Sequence, residues 1–209
     1  MNVLNVHQSA TAELVRAGRV SRKDRAAALE SVIPLAGGKF IVEHWRNGKR
    51  INEYHFKNGI TTEGKNALLD IMFDGGTQIT AWYLGLIDNT GFTALADGDT
   101  YDDINQAGNG WDEFDDYTDP SNADSALTRP QWSPDAASAA SITNSTVRQF
   151  DITASGTIKG VFVAGGGAAP ETKGDHASGS TLWATALFSG GDVPVQNGDA
   201  LKVTYSVSA

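Results

Sequence analysis

Lys39-Phe40-Ile41-Val42-Glu43-His44-Trp45-Arg46-Asn47-Gly48-Lys49-Arg50-Ile51-Asn52-Glu53-Tyr54-His55-Phe56 is the stretch whose reading decides the fold. Two runs rich in β-branched and aromatic residues flank Asn47-Gly48. Asn-Gly is the preferred pair for a two-residue hairpin turn, because both positions need positive φ. A two-residue turn sets the register, with Trp45 opposite Arg50 and Ile41 opposite Tyr54, pairs that support an antiparallel ladder. The same register puts His44 and His55 on one face.

Outward from the hairpin, Thr61 or Thr62 can cap a helix from Glu63 to Phe73. Leu68, Leu69, Met72 and Phe73 give it a broad apolar side, and Gly75-Gly76 ends it. Strands follow at Ala81–Ile87, Ser145–Ala154, Thr157–Val163, Thr181–Phe188 and Ala200–Val207. The last alternates cleanly: Leu201, Val203, Tyr205 and Val207 against Lys202, Thr204, Ser206 and Ser208. Gly165 to Gly179 reads as an exposed loop. Short strands separated by Gly- and Asp-rich loops predict a mainly β chain, a jelly-roll-like antiparallel β-sandwich with one packed helix.

Before the hairpin, residues 1–37 read as a short helical N-terminal arm, and residues 38–209 as the sandwich body. Ser9 can cap a helix from Ala10 to Ala17, with Gly18 past its end. Ser21 and Asp24 fit a capping box. Ala26, Leu29, Val32 and Ile33 then recur at helical spacing, Pro34 stops the helix, and Gly37-Gly38 reads as a flexible joint. The polar faces carry Arg16, Arg19, Arg22, Lys23 and Arg25. Two such short helices are marginal alone. Leaving Leu29, Val32 and Ile33 in water forgoes about 1.5–3 kcal/mol for each large side chain. The arm is therefore expected to bind a partner through Arg16, Arg19, Arg22, Lys23, Arg25, Leu29, Val32 and Ile33.

Composition narrows the function. The 209 residues are 40% hydrophobic and 20% charged, with 23 glycines and no cysteine, so disulfides and thiol chemistry are excluded. The net charge of −9 is unevenly spread. Residues 1–57 hold ten Lys and Arg against five Asp and Glu; residues 58–209 hold six against twenty. So acidic a body argues against general nucleic-acid binding. No apolar run is long enough to cross a membrane as a helix. The N-terminus lacks a basic start followed by an apolar core, which predicts no signal peptide and folding in a cytoplasm.

The candidate chemical motifs are weak. Asp97 to Asp103 does not fit a calcium loop: Tyr101 falls at position 5, Asp102 at position 6 and Gly108 at position 12. His7, His44, His55 and His176 show no metal-ligand spacing. Trp111-Asp112-Glu113-Phe114-Asp115-Asp116-Tyr117 mixes acids with aromatics, but adjacency in sequence does not give a glycosidase its separated carboxyl pair. Asp175, His176 and Ser178 cluster in a loop without the geometry that defines a triad. Residues 165–173 miss the phosphate-loop pattern, because Thr172 precedes Lys173. The sequence predicts no cofactor and no enzyme. Residues 88–124 carry eleven Asp and Glu and no Lys or Arg. They read as an exposed acidic loop anchored by Trp111, Phe114 and Tyr117. Trp82 and Trp183 read as core; Trp111 and Trp132 read as buried loop anchors.

One pattern spans most of the chain. It runs from Asn58-Gly59-Ile60-Thr61-Thr62-Glu63-Gly64-Lys65-Asn66-Ala67-Leu68-Leu69 through Ala81-Trp82-Tyr83-Leu84-Gly85-Leu86-Ile87. Gly110-Trp111-Asp112-Glu113, Tyr117 and Arg129-Pro130 follow. Thr157-Ile158-Lys159-Gly160-Val161-Phe162, Leu182-Trp183-Ala184-Thr185-Ala186-Leu187-Phe188 and Gly198-Asp199-Ala200-Leu201-Lys202-Val203-Thr204-Tyr205 complete it. This order, over about residues 39–207, resembles small virion proteins of tailed bacteriophages that serve as capsid decoration, cement or other structural proteins. The resemblance implies a jelly-roll-like body on a capsid surface, often trimeric. It also implies the major capsid protein or other virion subunits as partners, and a virion location after assembly in the host cytoplasm. A tail or fibre protein and a carbohydrate-binding module are the alternatives. The latter predicts exposed, coplanar aromatics such as Trp111 and Trp132.

Overall fold

The structure, a computed structural model, describes residues 37–106, 108, 110–122 and 126–208. The helices expected at Ala10–Ala17 and from Ser21 to Ile33 lie outside the described residues.

β1 (Gly37–Arg46) and β2 (Lys49–Ile60) form the expected hairpin. Asn47 (φ 50°) and Gly48 (φ 72°) make its turn, both in the left-handed region that Asn-Gly tolerates. Trp45 faces Arg50, as the turn dictates. The register then slips. His44 faces Asn52, which leaves Ile51 as an extra residue on β2, and Ile41 faces His55 rather than Tyr54. This bulge corrects the sequence expectation, and its physical reason is the core. Phe40 now faces Phe56 and Val42 faces Tyr54, so the large rings point inward. His44 and His55 consequently lie on opposite faces; His44 is buried and His55 is exposed.

The expected flexible joint is also corrected. Gly37 pairs with Ser208, and Gly38 with both Val207 and Asn58, so both glycines belong to the sheet. A Cβ on Gly38 would sit 2.0 Å from Asn58 Oδ1 and 2.7 Å from the Tyr205 ring. Gly38 is needed for close packing.

α1 (Thr62–Phe73) starts where expected. Thr61 caps it, its hydroxyl accepting from Gly64 N at 3.0 Å. Gly75, in the left-handed region, turns the chain, and Gly76 N donates to Asp70 O at 2.9 Å. The first turn meets the body closely, and Ala67, Leu68 and Ile71 further along are half-buried. Gly64 lies against the Trp183 backbone, where a Cβ would stand 2.6 Å from the carbonyl oxygen. The apolar side expected to pack is instead largely open: Leu69, Met72 and Phe73 are exposed, Phe73 by 80%.

The remaining strands are β3 (Trp82–Asp88), β4 (Glu113–Phe114), β5 (Tyr117–Thr118), β6 (Gln131–Trp132), β7 (Ser141–Thr143), β8 (Arg148–Ile152), β9 (Gly156–Gly165), β10 (Thr181–Leu187), β11 (Val193–Val195) and β12 (Ala200–Ser208). All pair antiparallel in the order β4-β3-β9-β10-β2-β1-β12-β8-β5, with β11 beside β9, β6 beside β3 and β7 beside β12. The protein is mainly β, with one helix among the described residues. The sheet curls on itself. β4 and β5 stand at opposite ends of the strand order, yet only Asp115 and Asp116 separate them in sequence. Two residues span so little that the two ends must meet, and the sheet is nearly closed, like a barrel.

β2 is the corner. It pairs with β1 up to Asn58, then with β10 at Gly59 and Ile60. The leaf with β1, β12 and β8 contributes Phe40, Val42, Phe150, Leu201, Val203 and Tyr205 to the core; the leaf with β3, β9 and β10 contributes Leu84, Leu86, Ile158, Val161, Val163 and Ala186. A second cluster covers the outside of the latter leaf, where Tyr101, Ile104 and Trp111 pack on Ile87, Phe162, Ala164 and Leu182. Strands covered on both faces read as continuous apolar runs, which is why β3 and β9 lack alternation.

Candidate functional site

Arg16, Arg19, Arg22, Lys23, Arg25, Leu29, Val32 and Ile33, the expected partner-binding residues, lie outside the described residues. The body brings other groups together.

The most concentrated chemistry is a buried ion pair. Arg129 and Glu113 both have side chains with no exposure. Arg129 Nε donates to Glu113 Oε1 at 2.9 Å and Nη2 to Oε2 at 2.7 Å, a bidentate fork. Nη1 donates to Tyr101 Oη and Pro170 O; Nη2 also donates to Asp175 O. All five guanidinium hydrogens have acceptors. Glu113 further accepts from Tyr117 Oη at 3.1 Å and Gly174 N at 2.8 Å. The Tyr101 hydroxyl donates onward to Asp175 Oδ2 at 2.9 Å. Burial works against the Arg129 charge, but the Glu113 carboxylate outweighs it and holds the guanidinium above its ordinary value. Burial pushes the Tyr117 hydroxyl well up, and the neighbouring Glu113 adds to the shift.

This network ties together three segments distant in sequence: the acidic loop, the approach to β6 and the loop before β10. It corrects two expectations. Trp111, Phe114 and Tyr117 do anchor residues 88–124. However, Glu113 is buried with a basic partner, and Asp99 and Asp119 are buried as well, so these acids do not face water. Asp99 accepts from Trp111 Nε1 and Ala96 N, both at 3.0 Å. The loop at 165–179 is likewise tied in through Pro170, Gly174 and Asp175. Sequence reasoning missed Arg129 as a centre. Its signal was isolation, since no other Lys or Arg stands between Lys65 and Arg148.

A second cluster locks the hairpin to β12. Asp199 Oδ2 lies 2.8 Å from His44 Nε2, and Arg46 forks onto both carboxylate oxygens at 2.7 Å. Burial pushes the Asp199 carboxyl up, but the hydrogen bonds from Arg46 and His44 outweigh it and hold it well below the usual carboxylate range. Asp175, His176 and Ser178 do not line up in series. Asp175 serves Tyr101, His176 Nδ1 faces Gly174 O at 3.2 Å, and Ser178 Oγ meets Ser180 Oγ at 2.7 Å. Among the described residues, no group of three His, Asp or Glu side chains converges as for a metal. Trp111 and Trp132 are buried, at 2% and 6% exposure.

Beside α1 runs an open groove of about 460 Å³, lined by Glu63, Asn66, Asp70, Thr100 and Thr181 among others. Glu63 Oε2 is already held by Tyr101 N and Leu182 N, at 2.9 and 2.6 Å. Burial is the main cause that raises its carboxyl. Past the groove, the open face of α1 presents Leu69, Met72 and Phe73 at the i, i+3, i+4 spacing of one helical stripe. Such a stripe can anchor a partner. No family model, curated protein or solved structure matches this chain.

Proposed function

We propose that this chain is a structural, non-enzymatic virion protein of a tailed bacteriophage, a capsid decoration or cement protein that stabilises the head by binding between capsid subunits. The observation that carries the reading is the contrast between the buried, mutually bonded ionisable cluster around Arg129 and the open stripe of α1. The ionisable groups that enzymes use, Glu113, Arg129, Tyr101 and Tyr117, are buried and bonded to one another. Three of the exposed large apolar side chains, Leu69, Met72 and Phe73, gather on one helix face, while Ile51, Leu127, Val147 and Leu187 stand singly elsewhere. Assembly covers such surface, and each subunit interface formed in this way raises the cost of separating the shell. The burial of Trp111 and Trp132 weighs against a sugar-binding groove built on them. The two leaves around one core we read as a jelly-roll-like sandwich. A homo-oligomer, with a trimer favoured, bound to the major capsid protein fits this use, as does a tail position on the same particle.

The arm at residues 1–37 is the proposed attachment device. Its arginines would meet acidic groups on the assembly and steer encounter. The test is a protein starting at Gly38, compared with the full chain for co-sedimentation with heads that lack it. A folded body that no longer binds supports attachment by the arm. Binding at unchanged affinity and occupancy overturns it and assigns attachment to the body.

A further inference from the structure

The open side of α1 and the outward face of the hairpin each carry a pair of like charges, and the two pairs are of opposite sign. On α1, Asp70 and Asp74 stand four residues apart, both exposed, beside the stripe of Leu69, Met72 and Phe73. Like charges at that spacing repel. The last turn of the helix holds no basic residue to offset them or the negative end of its dipole. On the hairpin, Lys39 and Lys57 face each other across the ladder, both exposed. Like charges directly opposite also repel. Among the described residues, neither lysine has an ion-pair partner. The same face shows how such a pair is relieved elsewhere. Glu43 faces Glu53, and Arg50 bridges them, its Nη1 donating to Glu43 Oε1 at 3.0 Å and to Glu53 Oε2.

The two surfaces match in spacing and in order. Helical residues four apart hold their Cβ atoms about 5–6 Å from each other, and residues opposite on a ladder about 4.5–5.5 Å. On the outward face of β1, Lys39 is followed by half-buried Ile41 and then Glu43, over about 13 Å. Read from the C-terminal end of α1, the aspartates and the apolar stripe are followed by exposed Lys65, over about 14 Å. Set together, the aspartates meet Lys39 and Lys57, the stripe covers Ile41, and Lys65 reaches Glu43 and Glu53. Because Arg50 already serves those two carboxylates, the lysine end gains most from the contact.

A second α1 is the poorer occupant. Parallel, two such helices set their aspartates against each other. Antiparallel with the stripes in register, they bring both copies of Asp70 side by side and leave Lys65 beyond the contact. Sliding them until Lys65 meets Asp74 carries Met72 and Phe73 off the facing stripe. Within one chain α1 packs on β10, and the stripe and the hairpin face both stay open. We therefore infer that α1 of one copy docks on the outward face of β1 and β2 of a second copy, around Lys39, Ile41 and Lys57. Each copy offers both halves, so the contact joins copies head to tail, into a ring where the rotation closes. This rests on the reading that an assembly covers α1, but not on the particle being a virion.

Charge exchange in the full-length chain tests the pairing, with circular dichroism as the check of fold. Lys39→Glu/Lys57→Glu and Asp70→Lys/Asp74→Lys each set like charges against each other. Sedimentation equilibrium should show self-association weakened by at least about tenfold in either variant. The variant with all four substitutions should regain it. Loss without that recovery overturns the pairing. So does loss confined to the α1 variant, which assigns the stripe to another partner, and so does a wild-type chain that stays monomeric. A second measurement stands even where a charge variant fails to fold. The chain has no cysteine, so introduced thiols report without background. Mixed His55→Cys and Phe73→Cys chains, treated with a short bis-maleimide, should give peptides that link position 55 of one chain to position 73 of another. A 73–73 link in its place overturns the proposal in favour of α1 against α1, and absence of both links overturns it outright. Heads that still take up the full chain in those cases leave the attachment reading standing on its own.

Discussion

Gly64 positions a whole helix by lacking a Cβ. Its neighbours are the Trp183 carbonyl oxygen, Cα and carbonyl carbon, at 2.6, 2.9 and 3.1 Å from where a Cβ would be. These are backbone atoms of β10 and cannot rotate aside. Alanine there would regain about 1 kcal/mol of helix propensity, against an overpacking cost of about 1–3 kcal/mol. The overlap wins. Gly64→Ala is expected to lower the urea midpoint, with a net loss on the order of 1 kcal/mol, and to lift the first turn of α1. A raised midpoint would show that α1 is not held by this contact. Asp199 acts through charge instead. Its carboxyl lies well below the usual range in the folded state, while the unfolded value is about 3.9. A depressed folded value contributes stability that is complete above the unfolded value and lost as pH falls through the folded one. The protein should therefore lose stability as pH drops below about 4. Asp199→Asn should start less stable at pH 7 and lose less over the acid range. Parallel acid slopes for both proteins, measured by urea denaturation, would assign the loss to other carboxyls.

At the scale of elements, the hairpin shows what a sequence can and cannot reveal. Asn47-Gly48 was legible because only two positive φ values close that turn, and Trp45 opposite Arg50 followed directly. The bulge was not. No residue type marks Ile51 as extra; its position follows from the need of Phe40, Val42, Tyr54 and Phe56 to share the inner face, which is a demand of the distant leaf. Because Ile51 is the inserted residue and 51% exposed, deleting it should leave the inward set unchanged. The expected cost is under about 1.5 kcal/mol, of the size of a tolerated repacking. Deleting Asn52 as well would leave Trp45 opposite Arg50 but set Tyr54 opposite Glu43 and Phe56 opposite Ile41, turning both rings off the inner face, and move the melting temperature much further. Equal losses for the two deletions would mean that the bulge itself stabilises the hairpin. The strands β9 and β10 were legible from their apolar runs and β12 from its alternation; β4, β5, β6, β7 and β11 are two or three residues each and carry no period. The apolar positions of α1 signalled a helix, but an amphipathic stripe does not say whether its cover lies within the same body.

Across the whole molecule, closure depends on a few groups near the place where the two ends of the sheet meet. Asp115 and Asp116 carry the chain from β4 to β5. Lys173 Nζ holds that crossing by donating to Asp115 O at 2.7 Å and Tyr117 O at 2.5 Å, 4.5 Å above the Tyr117 ring. Glu113 on β4 reaches Arg129, and Arg129 reaches the loop before β10. None of this was legible in advance, because a lone arginine among acids gives no sign of which carboxylate it will meet. The physical consequence is asymmetric. Removing one member strands a buried charge, at a cost of about 3–5 kcal/mol, whereas replacing both with apolar groups costs far less. Arg129→Met should thus be much more damaging than Arg129→Met with Glu113→Leu, a coupling that a double-mutant cycle in urea would read directly. It should also loosen distant parts together. In hydrogen exchange, amides of residues 99–118 and of residues 170–176 should lose protection to a similar degree in Arg129→Met. Val42, Val161 and Val203, in the inner core, should keep theirs. If only one of the two loops loosened, the network would be holding that loop alone and the sheet ends would be closed by Lys173 and the core. If the inner core loosened equally, closure and folding would be a single cooperative event, with Arg129 part of the fold itself and not a clasp upon it.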